Sequence, residues 1–340
     1  MKKIVLLLLI CLILTNMDDI KELKNGKLED YNVPTVSQNE ETEASDEGLQ
    51  EQSGQSYDQT KTVTVMKDGE TVTMTMHDYL FGVLCAEIPA SFPKEAIKAQ
   101  AVSARTYTLN KLKLYEGGAV KDESHGGADM CTDYGHCQAY TGKTPEELWG
   151  EDAEFYSEKI RSALKETDGQ YVAYESEPIV AVFHSASGPM TEKAEDVWGG
   201  SYPYLVSTES PGGEESPKYH GTARFTLNEF TEKIRQLDSS VTFSDGKYIG
   251  EVTRSEAGGV KTINIGDKTF KGTDIRTAFG LNSTNFEIKY ENGEFVFSTI
   301  GYGHGVGMSQ YGAREIALSG STYDEILAHY YQGTEILKLD

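Results

Sequence analysis

Basic residues are scarce in this 340-residue chain, where 31 Lys and Arg stand against 54 Asp and Glu for a formal net charge of -23. That balance excludes a nucleic-acid binder, which needs clustered cations to displace phosphate counterions. It leaves a neutral ligand open. Long apolar runs are missing too. The uncharged stretch Ile4 to Leu14 is short of the roughly 20 residues a spanning helix needs, so Thr15, Asn16 and Met17 would have to lie in the membrane interface. A signal-peptide core fits the length equally well, but no A-x-A cleavage site follows, which favours a retained anchor. Lys2 and Lys3 then hold the start inside and put the rest outside the cytoplasm. Cys11 follows the bulky Ile10, which argues against lipoprotein processing. The chain has no HExxH helix, no GxSxG elbow and no Lys-Ser or Lys-Thr pair after the glycine-rich loop at Gly301 to Gly307. A zinc peptidase, a serine hydrolase of that type and a nucleotide site are therefore disfavoured. No repeat of solenoid period is present.

What is there falls into three parts: an anchor or signal segment at 1–16, an acidic linker at 17–60, and a folded region at 61–340. Residues 31–60 carry seven acids and no Lys or Arg, so mutual repulsion should keep them extended and disordered. The alternation of Thr62 to Met76 about Asp68-Gly69 predicts a hairpin. An apolar run, His77 to Leu84, reads as a strand leading to Glu87. A helix should follow to about Leu114, capped by Ser91 with Pro93 at its first position. Further helices are expected at Pro145–Glu166, Phe225–Leu237, Ser309–Ser319 and Tyr323–Tyr331. Strands are expected over Gln170–Ser185, with Val180 to Phe183 buried, near Lys261–Ile265, and in a Phe286–Phe297 hairpin turning at Asn292-Gly293. Blocks of strand and helix make the class α+β. The scaffold is a mixed β-sheet and hairpin arrangement with a long helix beside the cleft and a smaller inserted α/β subdomain at about 217–297.

Glu87, among Leu84, Cys85, Ala86 and Ile88, is a candidate acid, because apolar neighbours raise a carboxyl pKa by disfavouring the charged form. His125, Cys131, His136 and Cys137 fall within 13 residues and make a Cys2His2 set suited to zinc. Four protein ligands would leave no open position, so the ion would be structural and no cofactor would be required for chemistry. A Cys131–Cys137 disulfide is the competing reading in an extracellular setting. Cys85 reads as a buried core thiol.

The stretch LCAEIPASFPKEAIKAQAVSARTY from Leu84 to Tyr107 resembles the signature of the SpoIID family of sporulation proteins. FHSASGPMTEKAEDVWG from Phe183 and GYGHGVGMSQYGAREIA from Gly301 follow in the family's order, so the likeness spans about residues 61 to 340. Pro189 stands where a second glycine is expected. The resemblance implies a peptidoglycan lytic transglycosylase that cleaves the MurNAc–GlcNAc bond through one glutamate, here Glu87. It also implies glycan strands stripped of stem peptides as substrate, a partner amidase and other engulfment proteins, and the engulfing membrane of a sporulating bacterium. Substrate contacts are expected from His184, Ser185, Ser187 and Gly188 after a buried strand. His304 is expected to contribute among glycines that let backbone approach a ligand, with Gln310 and Tyr311 at the next helix. Arg105 is expected either to pair with a core acid or to hold a substrate carboxylate or Glu87. A noncatalytic glycan-binding enhancer of an amidase is the alternative function.

Overall fold

The computed structural model describes residues 56–340 apart from position 245. The expected anchor and almost all of the linker lie outside the described residues. The end of the linker does not behave as a tether: Tyr57–Thr60 forms a short helix, α1, capped by Ser56. Asp168 ties it down, accepting from the Ser56 hydroxyl and the Tyr57 and Asp58 amides. Asp58 is buried.

Strands β1 (Thr62–Lys67) and β2 (Glu70–Thr75) pair antiparallel about a turn in which Asp68 and Gly69 both take positive φ. This is the two-residue turn the sequence predicts. The run after it is helical: α2 spans Met76–Glu87, with the Thr75 hydroxyl accepting from the Asp78 amide. Tyr79, Leu80, Val83 and Leu84 are spaced to bury one helical face. A short apolar run is ambiguous by periodicity alone, which is why it reads as strand in the sequence. Glu87 thus ends a helix and does not follow a strand.

Helix α3, Lys94–Glu116, runs through the main core without a side-chain cap, so Ser91 does not fill the role expected of it. Ala96, Ala99, Ala101 and Ala104 are fully buried along it, and such small side chains let neighbouring elements pack closely. The expected Pro145–Glu166 helix is broken. Helix α4 (Pro145–Trp149) and helix α5 (Ala153–Glu166) are separated by a turn at Gly150, whose φ is 57°. After the short β3 (Met130–Cys131), parallel to β1, the strand expected over Gln170–Ser185 is also interrupted, giving β4 (Gln170–Tyr174), β5 (Glu177–Pro178) and β6 (Phe183–His184).

A second apolar cluster gathers Phe230, Ile234, Val260, Ile263, Ile275, Phe279, Phe295 and Phe297. Its strands include β7 (His220–Thr226), β8 (Ile249–Arg254), β9 (Val260–Ile265), β10 (Lys268–Lys271), β11 (Phe286–Glu291) and β12 (Glu294–Ile300). Its helices are α7 (Leu227–Leu237), which follows the short α6 (Ala194–Trp198), and α8 (Gly272–Phe279). Phe225 and Thr226 end β7, and Thr226 forms a capping box with Glu229. The Phe230 ring stacks on Phe295 with centroids 3.7 Å apart. The chain then returns to the main core through β13 (Met308–Ser309), α9 (Gln310–Leu318), α10 (Tyr323–Tyr330) and β14 (Glu335–Lys338). Strand β13 lies parallel to β6, and β14 antiparallel to β4. The fold is α+β.

Candidate active site

Glu87 sits at the C-terminal end of α2, half-buried. Its Oε1 accepts the Ala139 amide at 2.6 Å, and its Oε2 accepts from Gln310 Nε2 at 3.5 Å. Burial raises the carboxyl pKa and outweighs these two donors, which favour the charged form. Among the described residues no other charged group enters that balance. A carboxyl biased toward its protonated form yet hydrogen-bonded is suited to give up a proton and take one back.

Gln310 reaches this site because β13 pairs with β6, placing Ser309 beside His184 and delivering the next residue to Glu87. Gln310 also donates to Gln100 Oε1 at 3.4 Å. Gln100 is fully buried, and its own Nε2 has no partner among the described residues. Neither Gln100 nor Ala139 is singled out by the sequence. A signal for Gln100 existed: it falls among Ile97, Ala101 and Ala104 on the apolar stripe of α3. A backbone amide such as that of Ala139 leaves none.

His184 and His304 meet with ring centroids 5.5 Å apart, and the exposed Trp198 lies 5.2 Å from His304. His184 Nδ1 donates to the Val306 carbonyl at 3.1 Å, while its Nε2 is buried without a partner among the described residues. Burial and the neighbouring imidazole lower the His184 pKa to about 3. Burial and the Arg276 charge lower that of His304 to about 4. Both rings are neutral near pH 7. Trp198 and Arg276 were not anticipated from the sequence.

The glycines around His304 have a packing use within the chain as well. Gly301, Gly303, Gly305 and Gly307 all take positive φ. A Cβ on Gly307 would stand 2.2 Å from the Val182 carbonyl oxygen, and one on Gly305 would stand 2.9 Å from Glu192 Cγ. They seat the loop against residues 182–192. A pocket beside it is lined by Gly188, Glu192, Asn285, Gly301 and His304, and Glu87 is not among its walls.

Ser187 is buried and donates to Ser210 at 2.8 Å, so its hydroxyl serves packing. The Ser185 carbonyl accepts from the Tyr311 amide at 3.0 Å. Arg105 corrects one expectation: it is fully buried, its Nε donates to Asp58 at 2.8 Å and its Nη1 to the Gln170 carbonyl at 3.0 Å. It fills the core-acid role and reaches no cleft.

His125, Cys131 and His136 offer donor atoms within 4.8 Å of one another. Cys137 Sγ lies 3.5 Å from His125 Nε2, which matches the edge of about 3.4 to 3.8 Å expected for a zinc tetrahedron with N and S ligands. Cys131 and Cys137 are both free thiols here, and the buried Nδ1 of His125 lacks a partner among the described residues. Burial is the largest influence on His125 and lowers its pKa, leaving a neutral imidazole. The Ser124 hydroxyl lies 2.9 Å from His136 Nδ1, where it can fix the ring's orientation. His125, Cys131 and His136 gather closely enough to share one ion, while Cys137 lies beside His125 but outside that mutual group, a donor set whose chemistry suits zinc.

Residues 66–174 match the model of the SpoIID family, stage II sporulation protein. Stage II sporulation protein D of Bacillus subtilis (strain 168) is 40% identical over 78% of this chain and 75% of its own length. The Bacillus amyloliquefaciens protein of the same name is 37% identical over the same shares. The amidase enhancer of Bacillus subtilis (strain 168) is 27% identical over 76% of this chain and 40% of its own. With 40% identity over 78% of this chain and 75% of that relative, the chain belongs to the SpoIID family.

Proposed function

We propose that the chain is a lytic transglycosylase that cleaves the MurNAc–GlcNAc bond of glycan strands lacking stem peptides, in wall remodelling and engulfment during sporulation. The observation that carries this reading is Glu87: half-buried, biased toward the protonated form, gripped by Ala139 and Gln310, and free of any charged partner among the described residues. Glycosidases that activate water place two carboxylates about 5 to 9.5 Å apart. A single carboxyl suffices when the nucleophile is internal. Glu87 protonates the glycosidic oxygen as positive charge grows at the MurNAc anomeric carbon, and the departing GlcNAc keeps that proton. The resulting carboxylate takes the proton from the MurNAc C6 hydroxyl, whose oxygen closes on the anomeric carbon to give a 1,6-anhydro end.

The metal cluster would support this site at one remove. Zinc on His125, Cys131, His136 and Cys137 would pin the loop two residues before Ala139, whose amide holds Glu87. By the same reading, residues 1–16 anchor the chain to the membrane with its folded part outside, and an amidase that strips the strands is a partner.

Mass spectrometry of strands freed of stem peptides, incubated with the chain and with Glu87→Gln, tests the reaction. Anhydro-terminated fragments from the unmodified protein alone are expected, and reducing ends that have gained water would refute the transglycosylase. The likeness to an amidase enhancer favours one second reading, a glycan-binding protein that stimulates an amidase. In that case Glu87→Gln would stimulate the amidase undiminished.

A further inference from the structure

Arg276 stands out in a chain with a net charge of -23, because no acid among the described residues forms an ion pair with it. It lies half-buried on α8, with Nε donating to the Leu281 carbonyl at 3.3 Å. Burial lowers its pKa, and only the phenols of Tyr302 and Tyr134 oppose the effect. A cation removed from water without a counter-charge is costly, and an anion from outside the chain removes that cost.

Its position says where the anion would sit. Leu281, whose carbonyl accepts from Arg276, precedes Asn282, whose own carbonyl accepts the Gly303 amide at 3.0 Å, next to His304; the Arg276 charge also acts on both His184 and His304. Those rings adjoin each other, His184 is paired with Ser309, and the next residue, Gln310, bonds Glu87. Arg276 therefore stands on the second-subdomain side of the loop that carries His304, at the far end of this run of neighbours from the acid. The exposed Trp198 and Tyr302 flank the same stretch and offer apolar faces to sugar rings. The two histidines, neutral at pH 7, cannot supply the positive charge themselves.

Resting on the reading that the substrate is glycan without stem peptides, we propose that Arg276 recognises the free lactyl carboxylate of MurNAc. In an intact strand that carboxyl is tied up as an amide to the peptide, neutral and bulky. Amide hydrolysis frees it as an anion whose two oxygens match the fork of a guanidinium. A reaction of the amide-hydrolysing class must then act first, and Arg276 reads its product.

The test uses the full chain carrying Glu87→Gln, so that strands bind without being cut. The probes are stripped strands and the same strands with their lactyl carboxyls converted to methylamides. With Arg276 intact, neutralisation should weaken binding about tenfold or more, the worth of a charge-assisted hydrogen-bond pair. Arg276→Leu should bind both forms alike at the weaker affinity, and Arg276→Lys should regain part of the preference. Arg276→Gln, which keeps a donor for the Leu281 carbonyl, provides the neutral comparison if the leucine variant unfolds. Indifference to neutralisation with Arg276 present, or a preference that survives in the neutral variants, overturns the proposal. Strand cleavage by the chain with Glu87 intact is scored separately. Charge-dependent binding without cleavage defeats the transglycosylase and leaves the Arg276 assignment standing. Cleavage with charge-blind binding does the reverse, and no binding of either probe overturns both.

Discussion

Replacing Asp58 by Ala in the full chain should destabilise the folded region by about 3 to 5 kcal/mol, the usual cost of removing one partner from a buried ion pair. The Asp58 side chain is 2% exposed and that of Arg105 is 0% exposed, so water cannot replace the lost carboxylate. Arg105 Nε and Nη2 both bond that carboxylate, and only the Gln170 carbonyl would remain to it. At roughly 2 to 4 °C per kcal/mol for a region of this size, the unfolding midpoint should fall by about 6 to 20 °C. Urea titration followed by tryptophan fluorescence, with calorimetry for the midpoint, measures both. Arg105→Met in the Asp58→Ala background should recover much of the loss, because the stranded charge is removed with its partner. A fragment beginning at residue 61 should show the same defect, deepened by loss of the Asp168 hydrogen bonds to Ser56, Tyr57 and Asp58. If that fragment unfolds at the same urea concentration as one beginning at 53, or if the double variant is no better than Asp58→Ala, the reasoning fails.

Gln310→Leu removes a donor that favours the Glu87 carboxylate, so the alkaline limb of kcat/KM should move to higher pH. The rate should drop about tenfold, the cost of one long hydrogen bond to a charged group; an unchanged profile would separate Gln310 from the acid. The pKa of His184 falls from its ordinary 6.5 to about 3 because the ring is buried. The unfolded chain binds a proton below 6.5 that the folded one refuses, so stability is complete above that pH and lost as pH falls toward 3. At pH 5 the loss should approach about 2 kcal/mol. His184→Asn should flatten that part of the pH dependence in urea titrations, and an identical slope would count against it. Chelation should release one zinc per chain, expose the Glu116–Gly142 loop to protease, and slow turnover without unfolding the rest. Metal analysis that finds no zinc, or a loop indifferent to chelator, would contradict the cluster's assignment. A side chain on Gly307 would meet the Val182 carbonyl at a φ of +71°, so Gly307→Ala should cost several kcal/mol; thermal unfolding reports it.

Sequence alone determined what depends on near neighbours and on charge. The turns at Asp68-Gly69 and Asn292-Gly293 follow from residues that tolerate positive φ, and the α+β class follows from their spacing with helical stretches. The order of the three family segments pointed to Glu87, and the scarcity of cations set nucleic acid aside. What it left undecided was which polar groups lose their water and which distant groups then meet them. Glu87 and Gln310 are 223 positions apart, and they touch because β13 pairs with β6. Asp58 looks like one more acid in a solvated linker until α1 docks and buries it against Arg105. The glycines about His304 look fit for a ligand, and only the fold shows that the chain's own 182–192 segment needs them as well. Arg276 reads as an ordinary helix cation, and only tertiary packing leaves it half-buried beside two neutral histidines. Backbone conformation is set within a few residues, whereas desolvation and pairing are set by whatever the fold brings within a few ångströms, and that proximity is invisible to local pattern.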